Sequence, residues 1–319
     1  MSPLPDAQRP PVVPWFSGLR RVVTLAVVAA LLAYGAMVWM ADRQQVGAAM
    51  ARLPTGGWLG VAGLSCLNYG LRFLRWQGLL LALGHRLPWR RSLVIYLAGF
   101  ALTLTPGKAG ETVRSLYLRP LGVDFGHSVA AFVVERLFDL LAVAALASLA
   151  ALALGTQGPW VWTAALACLA VALLLRSRWL PWLTSRWGGQ RLAAGVGAMA
   201  TLLRGRTPWR ALPLSLLAWA AQGLALYGVV QALGPGPGVA PLVGIYCLAI
   251  LAGALSFLPG GLGVTEAALA LLLGGVGLEP AQAVTAALVT RGLTLWLAVA
   301  MGVLAMASLA LGAKSAPRD

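Results

Sequence analysis

Apolar runs of bilayer-spanning length recur along the chain, at about 22–41, 57–84, 127–154, 159–175, 211–234 and 281–311. Crossing the hydrocarbon core takes roughly 20 apolar residues, so each run is of about spanning length. Only 10% of the 319 residues are charged, against about a quarter in an ordinary globular chain. A water-soluble surface of this size cannot be built from so few charges, and the mean hydropathy is +0.82. The sequence therefore predicts an all-α polytopic membrane protein with about six full spans. Its net charge of +15 comes mostly from arginines flanking the apolar runs. That is the positive-inside signature of membrane helices and not a nucleic-acid footprint. Cys66, Cys168 and Cys247 fall within apolar runs and carry no disulfide or metal-site spacing.

Two further apolar stretches are short and broken. Residues 92–105 stop at Pro106, and 110–119 follow as a charged amphipathic piece ended by Pro120. Residues 241–258 stop at Pro259, and 262–277 follow as a short helix of alanines and leucines. Proline ends a helix because it lacks an N–H and clashes with the preceding turn. Both breaks read Pro-Gly, then further glycine, then glutamate: Pro106, Gly107, Lys108, Gly110 and Glu111 in one, Pro259, Gly260, Gly261, Gly263 and Glu266 in the other. Their starts are 153 residues apart (259 − 106).

Arginine placement gives a topology. Residues 176–210 hold seven arginines and belong on the cytoplasmic side, as do the three arginines of 85–91. Both ends of 92–120 then lie on one side, so that segment enters the membrane and turns back at its Pro-Gly loop. Counting forward, 241–277 dips in from the opposite face. The expected architecture is two re-entrant helical hairpins entering from opposite faces, within an inverted repeat. Residues 1–21 form a disordered cytoplasmic tail, 22–311 a single transmembrane domain, and 312–319 a second cytoplasmic tail. The repeat-like halves span about 57–154 and 211–311, joined by 176–210. Residues 128–137 resemble 283–292, which pairs Arg136 with Arg291 at an offset of 155, and 95–98 match 245–248. Inverted repeats with broken helices meeting near the midplane are a transporter architecture.

Ten charges fall inside membrane elements: Arg72, Arg75, Lys108, Glu111, Arg114, Glu135, Arg136, Asp139, Glu266 and Arg291. Facing lipid, they would together cost on the order of 25–35 kcal/mol, so they must line a polar interior and pair with one another. Arg72 and Arg75, Glu111 and Arg114, and Arg136 and Asp139 are each three apart, and Glu135 and Asp139 four apart, so each pair shares a helix face. After each Pro-Gly a new helix starts, and its free N–H groups and positive dipole end form an anion site. A cavity between the loops would thus favour a phosphate or another anionic head group.

The stretches 72–76, 106–114, 135–140 and 258–264 with Glu266 resemble the lysylphosphatidylglycerol synthase transmembrane-region family of flippase-like integral membrane proteins. The resemblance covers essentially 22–311. Lys108 stands where the family usually has arginine, which keeps the charge but not the fork geometry. Thr103 or Thr105 stands where asparagine is common. No soluble aminoacyl-transferring domain accompanies these residues, so the resemblance implies lipid translocation and not aminoacylation. It implies an anionic or polyprenyl-phosphate-linked lipid substrate, and a bacterial-type inner membrane.

The expected function is a lipid translocase moving an anionic head group through a polar groove between the two loops. Two alternatives share these residues: an ion-coupled transporter of a small anionic solute, and an intramembrane enzyme using Glu135 or Asp139 as base on a lipid phosphate. His85 and His127 lie near the cytoplasmic boundary with no metal-ligand spacing or nucleophile motif. No catalytic residue, metal site or cofactor is assigned.

Overall fold

A computed structural model describes residues 43–153, 159–177, 189–256 and 258–314, and isolated positions among 28–39 and 182–186. The expected tail 1–21, most of the expected span 22–41, and residues 315–319 lie outside the described residues, as do the side chains of 106–109, Lys108 included.

Every regular element among the described residues is helical. The chain runs through α1 (Arg43–Ala51), α2 (Thr55–Ala82), α3 (Trp89–Ala98), α4 (Arg114–Leu118), α5 (Phe125–Ala153) and α6 (Pro159–Arg176). It continues through α7 (Gly189–Leu202), α8 (Thr207–Leu233), α9 (Val239–Leu255), α10 (Val264–Gly275), α11 (Pro280–Arg291) and α12 (Leu297–Lys314). Prolines punctuate the starts: Pro54 and Pro88 cap α2 and α3, and Pro280 opens α11. A fixed φ near the helical value and a missing N–H suit that first turn.

Thr207–Leu233 and Pro280–Leu311 are long and apolar enough to cross a membrane by length and composition. Helices α2 and α5 are as long, at 28 and 29 residues, about 42–44 Å at 1.5 Å rise per residue, but carry charges along their course.

The structure refines several sequence expectations. The segment after Pro106 is a 3-10 helix, Pro106–Val113, before α4. Tightened turns there follow from three constraints within eight residues: a proline, two glycines and a buried Glu111. The 176–210 connection is not merely a loop. It contains α7, whose Val196, Ala198, Ala200 and Leu202 are buried against α5 and α6. The 281–311 run is a continuous rod interrupted by a π-turn at Gly292–Trp296.

Packing is close where glycine meets backbone. A Cβ added at Gly244 of α9 would lie 2.1 Å from the Ala150 nitrogen of α5, and one at Gly302 of α12 would lie 2.1 Å from the Ala101 nitrogen. The broken segment of each half thus packs on the long helix of the other. Helices α2 and α8 pack along their lengths, with Asn68 Nδ2 donating to the Ala218 carbonyl at 2.7 Å. Their burial patterns coincide at an offset of 150 (215 − 65). Val61 and Ala211, Ser65 and Ser215, Tyr69 and Trp219, and Trp76 and Leu226 are all buried. Ser65 and Ser215 each return a hydroxyl hydrogen bond to the carbonyl four residues back. The two Pro-Gly loops meet through a small apolar cluster of Leu104, Leu262 and Leu295.

Candidate functional site

The three-residue spacing places Arg72 and Arg75 on one face of α2, and α5 brings Glu135, Arg136 and Asp139 opposite them. Arg75 Nη1 donates to Asp139 Oδ1 at 2.7 Å and to the Ser215 hydroxyl, while Nη2 reaches Glu135 Oε1 at 3.2 Å. From the first loop, Arg114 donates to Glu111 Oε2 at 2.9 Å and to Glu135 Oε2 at 3.1 Å. Arg136 Nη2 lies 3.0 Å from both Glu135 and Asp139 and 3.8 Å from Glu111. Arg72 is more loosely held, 3.6 Å from Glu135 and 3.5 Å from Asp139.

Among the described residues, four arginines and three carboxylates leave this cluster one positive charge in surplus (4 − 3). Aromatic and hydroxyl groups complete it. Trp219 Nε1 donates to Asp139 Oδ1 at 2.9 Å, and Tyr96 donates to Glu135 Oε1 at 3.2 Å. The Arg114 guanidinium lies 4.2 Å from the Tyr96 ring centre, and Arg72 sits between Phe100 and Trp219 at 5.5 and 5.9 Å. A weakly hydrated planar cation gains from such faces once water is excluded.

The loops are held by their own side chains. Thr105 Oγ1 accepts from the Gly110 N–H at 2.7 Å and donates to the Leu102 carbonyl at 2.8 Å, and Thr103 donates to Glu111 Oε1 at 2.9 Å. Both threonines staple the first loop. In the second loop, Gly260, Gly261 and Gly263 have φ of 62°, 67° and 80°, which side-chain-bearing residues rarely adopt. Arg291 Nε donates to Glu266 Oε1 at 2.7 Å, and its Nη2 donates to the Gly260 carbonyl at 2.9 Å.

A cavity of about 370 Å³ opens beside these groups. Of the expected site residues, Arg72, Arg136, Asp139, Gly260, Gly261 and Arg291 line it. Arg75, Glu111, Arg114, Glu135 and Glu266 stand outside the lining and hold the wall in place through their ion pairs. Gly110, Pro259 and Gly263 shape the loops without facing the cavity. Pro106, Gly107 and Lys108 fall among the side chains the structure does not describe.

The sequence pointed to helix ends together with nearby cations as the anion site, and of those cations Arg136 and Arg291 line the cavity. The Gly110 N–H is already used by Thr105. The first turn of α10 already carries Glu266, neutralised by Arg291. Sequence reasoning missed Tyr69, Phe100, Trp219, Gln222, Tyr246 and Thr294, which also line the cavity. Nothing in an apolar run marks an aromatic residue as a partner for arginine until the helices are packed. A separate hollow of about 540 Å³ near Leu173, Arg176, Ser177 and Arg204 contains no residue of the charged cluster.

Residues 21–302 match the family described as the lysylphosphatidylglycerol synthase TM region. The chain belongs to the lysylphosphatidylglycerol synthase transmembrane-region family. Relatives in Methanothermobacter thermautotrophicus carry the name UPF0104 membrane protein. One is 28% identical over 305 residues, covering 85% of this chain and 89% of its own. Another is 26% identical over 240 residues, covering 63% and 68% respectively. A shorter match is 30% identical over 95 residues, 30% of this chain and 28% of the relative. Membership of the lysylphosphatidylglycerol synthase transmembrane-region family, with these apolar helices, makes the chain a helical membrane protein. The matched stretch contains all the charged residues of the site.

Proposed function

We propose that the chain is a lipid translocase of the cytoplasmic membrane, which admits the anionic head group of a lipid into the cavity while the acyl chains stay in the bilayer. The observation that carries this reading is the mixed lining. Arg72, Arg136 and Arg291 line the cavity, and Leu255 and Leu258, 66% and 47% exposed, line it at its open rim. An apolar rim suits acyl chains and a cationic wall suits a phosphate. Arg72 Nε and Nη2 are buried without a hydrogen bond among the described residues. Buried donors are normally satisfied, and a phosphate oxygen would satisfy these with charge-assisted bonds.

In this reading the two broken segments are re-entrant hairpins from opposite faces of an inverted repeat, with both termini cytoplasmic. The matching burial of α2 and α8, and the packing of each broken segment on the other half, support it. No nucleotide-binding motif occurs in the sequence, so the driving force is a gradient or consumption of the lipid on arrival. An intramembrane enzyme would need an available base, whereas Glu135 and Asp139 are both held by arginines. A transporter of small anions would share the arginines but has no use for the exposed leucines at the rim.

Native mass spectrometry of the purified chain tests the reading. The wild type is expected to retain an anionic phospholipid, and Arg136→Ala to lose about tenfold in affinity, as removal of a charged hydrogen-bond donor predicts. Excess inorganic phosphate should not displace the lipid. Equal retention by Arg136→Ala, or full displacement by phosphate, would overturn the proposal.

A further inference from the structure

The two halves differ chemically where they face the cavity. At the offset of 150 that superimposes the burial of α2 and α8, Gln222 stands where Arg72 stands (222 − 72). At the offset of 155 that relates Arg136 to Arg291, Thr294 stands where Asp139 stands (294 − 139), and Thr290 where Glu135 stands (290 − 135). At these three positions the charges of one half are replaced by uncharged polar groups in the other, which keeps Arg291 on the cavity wall, paired with Glu266.

Gln222, Tyr246 and Thr294 line the cavity and are buried, with 3%, 2% and 8% exposure. The Thr294 hydroxyl makes no hydrogen bond of ordinary geometry among the described residues, its neighbour being the Tyr246 hydroxyl. The Tyr246 hydroxyl lies beside it and reaches Gln222 Oε1 only at 3.4 Å, a long contact. Thr294 also sits in the π-turn Gly292–Trp296, directly after Arg291. Such turns inside α-helices concentrate at functional sites. Hydroxyl and amide groups buried beside a void, with hydrogen bonds unmet or stretched, need a ligand or ordered water to satisfy them. Glu266 of this half is paired with Arg291, which itself lines the cavity, so a cationic head would meet a guanidinium here.

Resting on the translocase reading, we infer that Gln222, Tyr246 and Thr294 form a second, uncharged subsite. It takes the hydroxyl-bearing, non-ionic part of a lipid head group whose phosphate sits against Arg72 and Arg136. The single surplus charge that the arginine cluster holds among the described residues matches a monoanion. The substrate class is then a phosphodiester lipid with a polyol or sugar head, in preference to one bearing an amine. A cavity of about 370 Å³ falls within the ordinary range of small-ligand sites, and so has room for a phosphate and a small head together.

The test compares two probes that share the phosphodiester and differ in hydroxyls: phosphatidylglycerol, with a diol head, and phosphatidylethanol, with none. Each is titrated against the detergent-purified full chain by native mass spectrometry. The wild type is expected to prefer phosphatidylglycerol by about tenfold, the worth of one or two net hydrogen bonds. Thr294→Val and Tyr246→Phe, both near-isosteric, should each erase most of that preference while leaving phosphatidylethanol affinity unchanged. Arg136→Ala should weaken both lipids alike. If the wild type binds the two lipids equally, or if both hydroxyl-deleted variants keep the preference, the subsite is wrong and the translocase reading stands. If the wild type binds neither lipid, both are wrong.

Discussion

Arg291 Nε lies 2.7 Å from Glu266 Oε1, and their counterparts 155 residues earlier, Arg136 and Glu111, approach to 3.8 Å. One pairing therefore recurs in both halves (291 − 136 = 266 − 111), tight in the second and loose in the first. Because Arg291 also holds the Gly260 carbonyl, it ties α11 to the second Pro-Gly loop. Arg291→Ala should cost about 3–5 kcal/mol by removing one member of a buried ion pair. Arg291→Lys should recover only part, since an ammonium cannot reproduce the two-point hold. Thermal unfolding in detergent checks this, and full stability of Arg291→Lys would contradict it.

Arg75 and Arg136 separate structure from binding. The Arg75 side chain is fully buried and bonded to Asp139, Glu135 and Ser215, whereas Arg136 is 18% exposed and lines the cavity. Arg75→Ala is expected to destabilise by about 3–5 kcal/mol. Arg136→Ala should unfold near the wild-type temperature, because Arg72, Arg75 and Arg114 still balance the three carboxylates, and lose lipid binding instead. Side-by-side melting curves and lipid titrations of the two variants decide it.

The glycine contacts give a packing prediction. Gly244→Ala drives a methyl into the Ala150 backbone and should cost about 1–3 kcal/mol or more, the range for overpacking. Gly274→Ala, where an added Cβ meets nothing within 4 Å, should be neutral or slightly stabilising. Similar melting temperatures for both variants would mean that α9 and α5 are further apart than described.

A pH dependence is expected where α2 ends and α5 begins. His85 Nε2 and His127 Nδ1 are 2.8 Å apart, joining the turn after α2 to the start of α5. One ring must donate and the other accept, so at least one is neutral. Burial, and then the neighbouring His127, holds the His85 imidazole below its ordinary range against the opposing pull of Asp124. The unfolded chain then binds more protons than the folded one. The contribution is complete above about pH 6.5 and is lost as pH falls through the depressed value. Melting temperature should drop on acidification in the wild type and drop less in His85→Gln. An identical slope in both would remove the pair from the account.

How much of this was legible in the sequence depended on the kind of signal. Apolar run length and charge scarcity located α2, α5, α8 and the α11–α12 rod, and proline marked both breaks. Three-residue and four-residue spacings predicted which charges share a face, as Arg72 with Arg75 and Arg136 with Asp139. Helix α7 escaped because its arginine-flanked sequence reads as a cytoplasmic loop, although four of its small and apolar residues are buried. The 3-10 turns after Pro106 and the π-turn after Arg291 leave no periodicity to detect. Gln222 and Thr294 carry no signal in the sequence, since an isolated amide or hydroxyl in an apolar helix is ordinary.

Head-group translocation in proteoliposomes tests the central claim most directly. Fluorescent phosphatidylglycerol would be reconstituted with the full chain, and its transbilayer movement followed by quenching from outside. Movement is expected to be faster than in protein-free vesicles, with Arg136→Ala falling to the protein-free rate although it melts like the wild type. If the wild type matches empty vesicles, or Arg136→Ala moves the lipid as fast as the wild type, the cavity is not the path of an anionic head group.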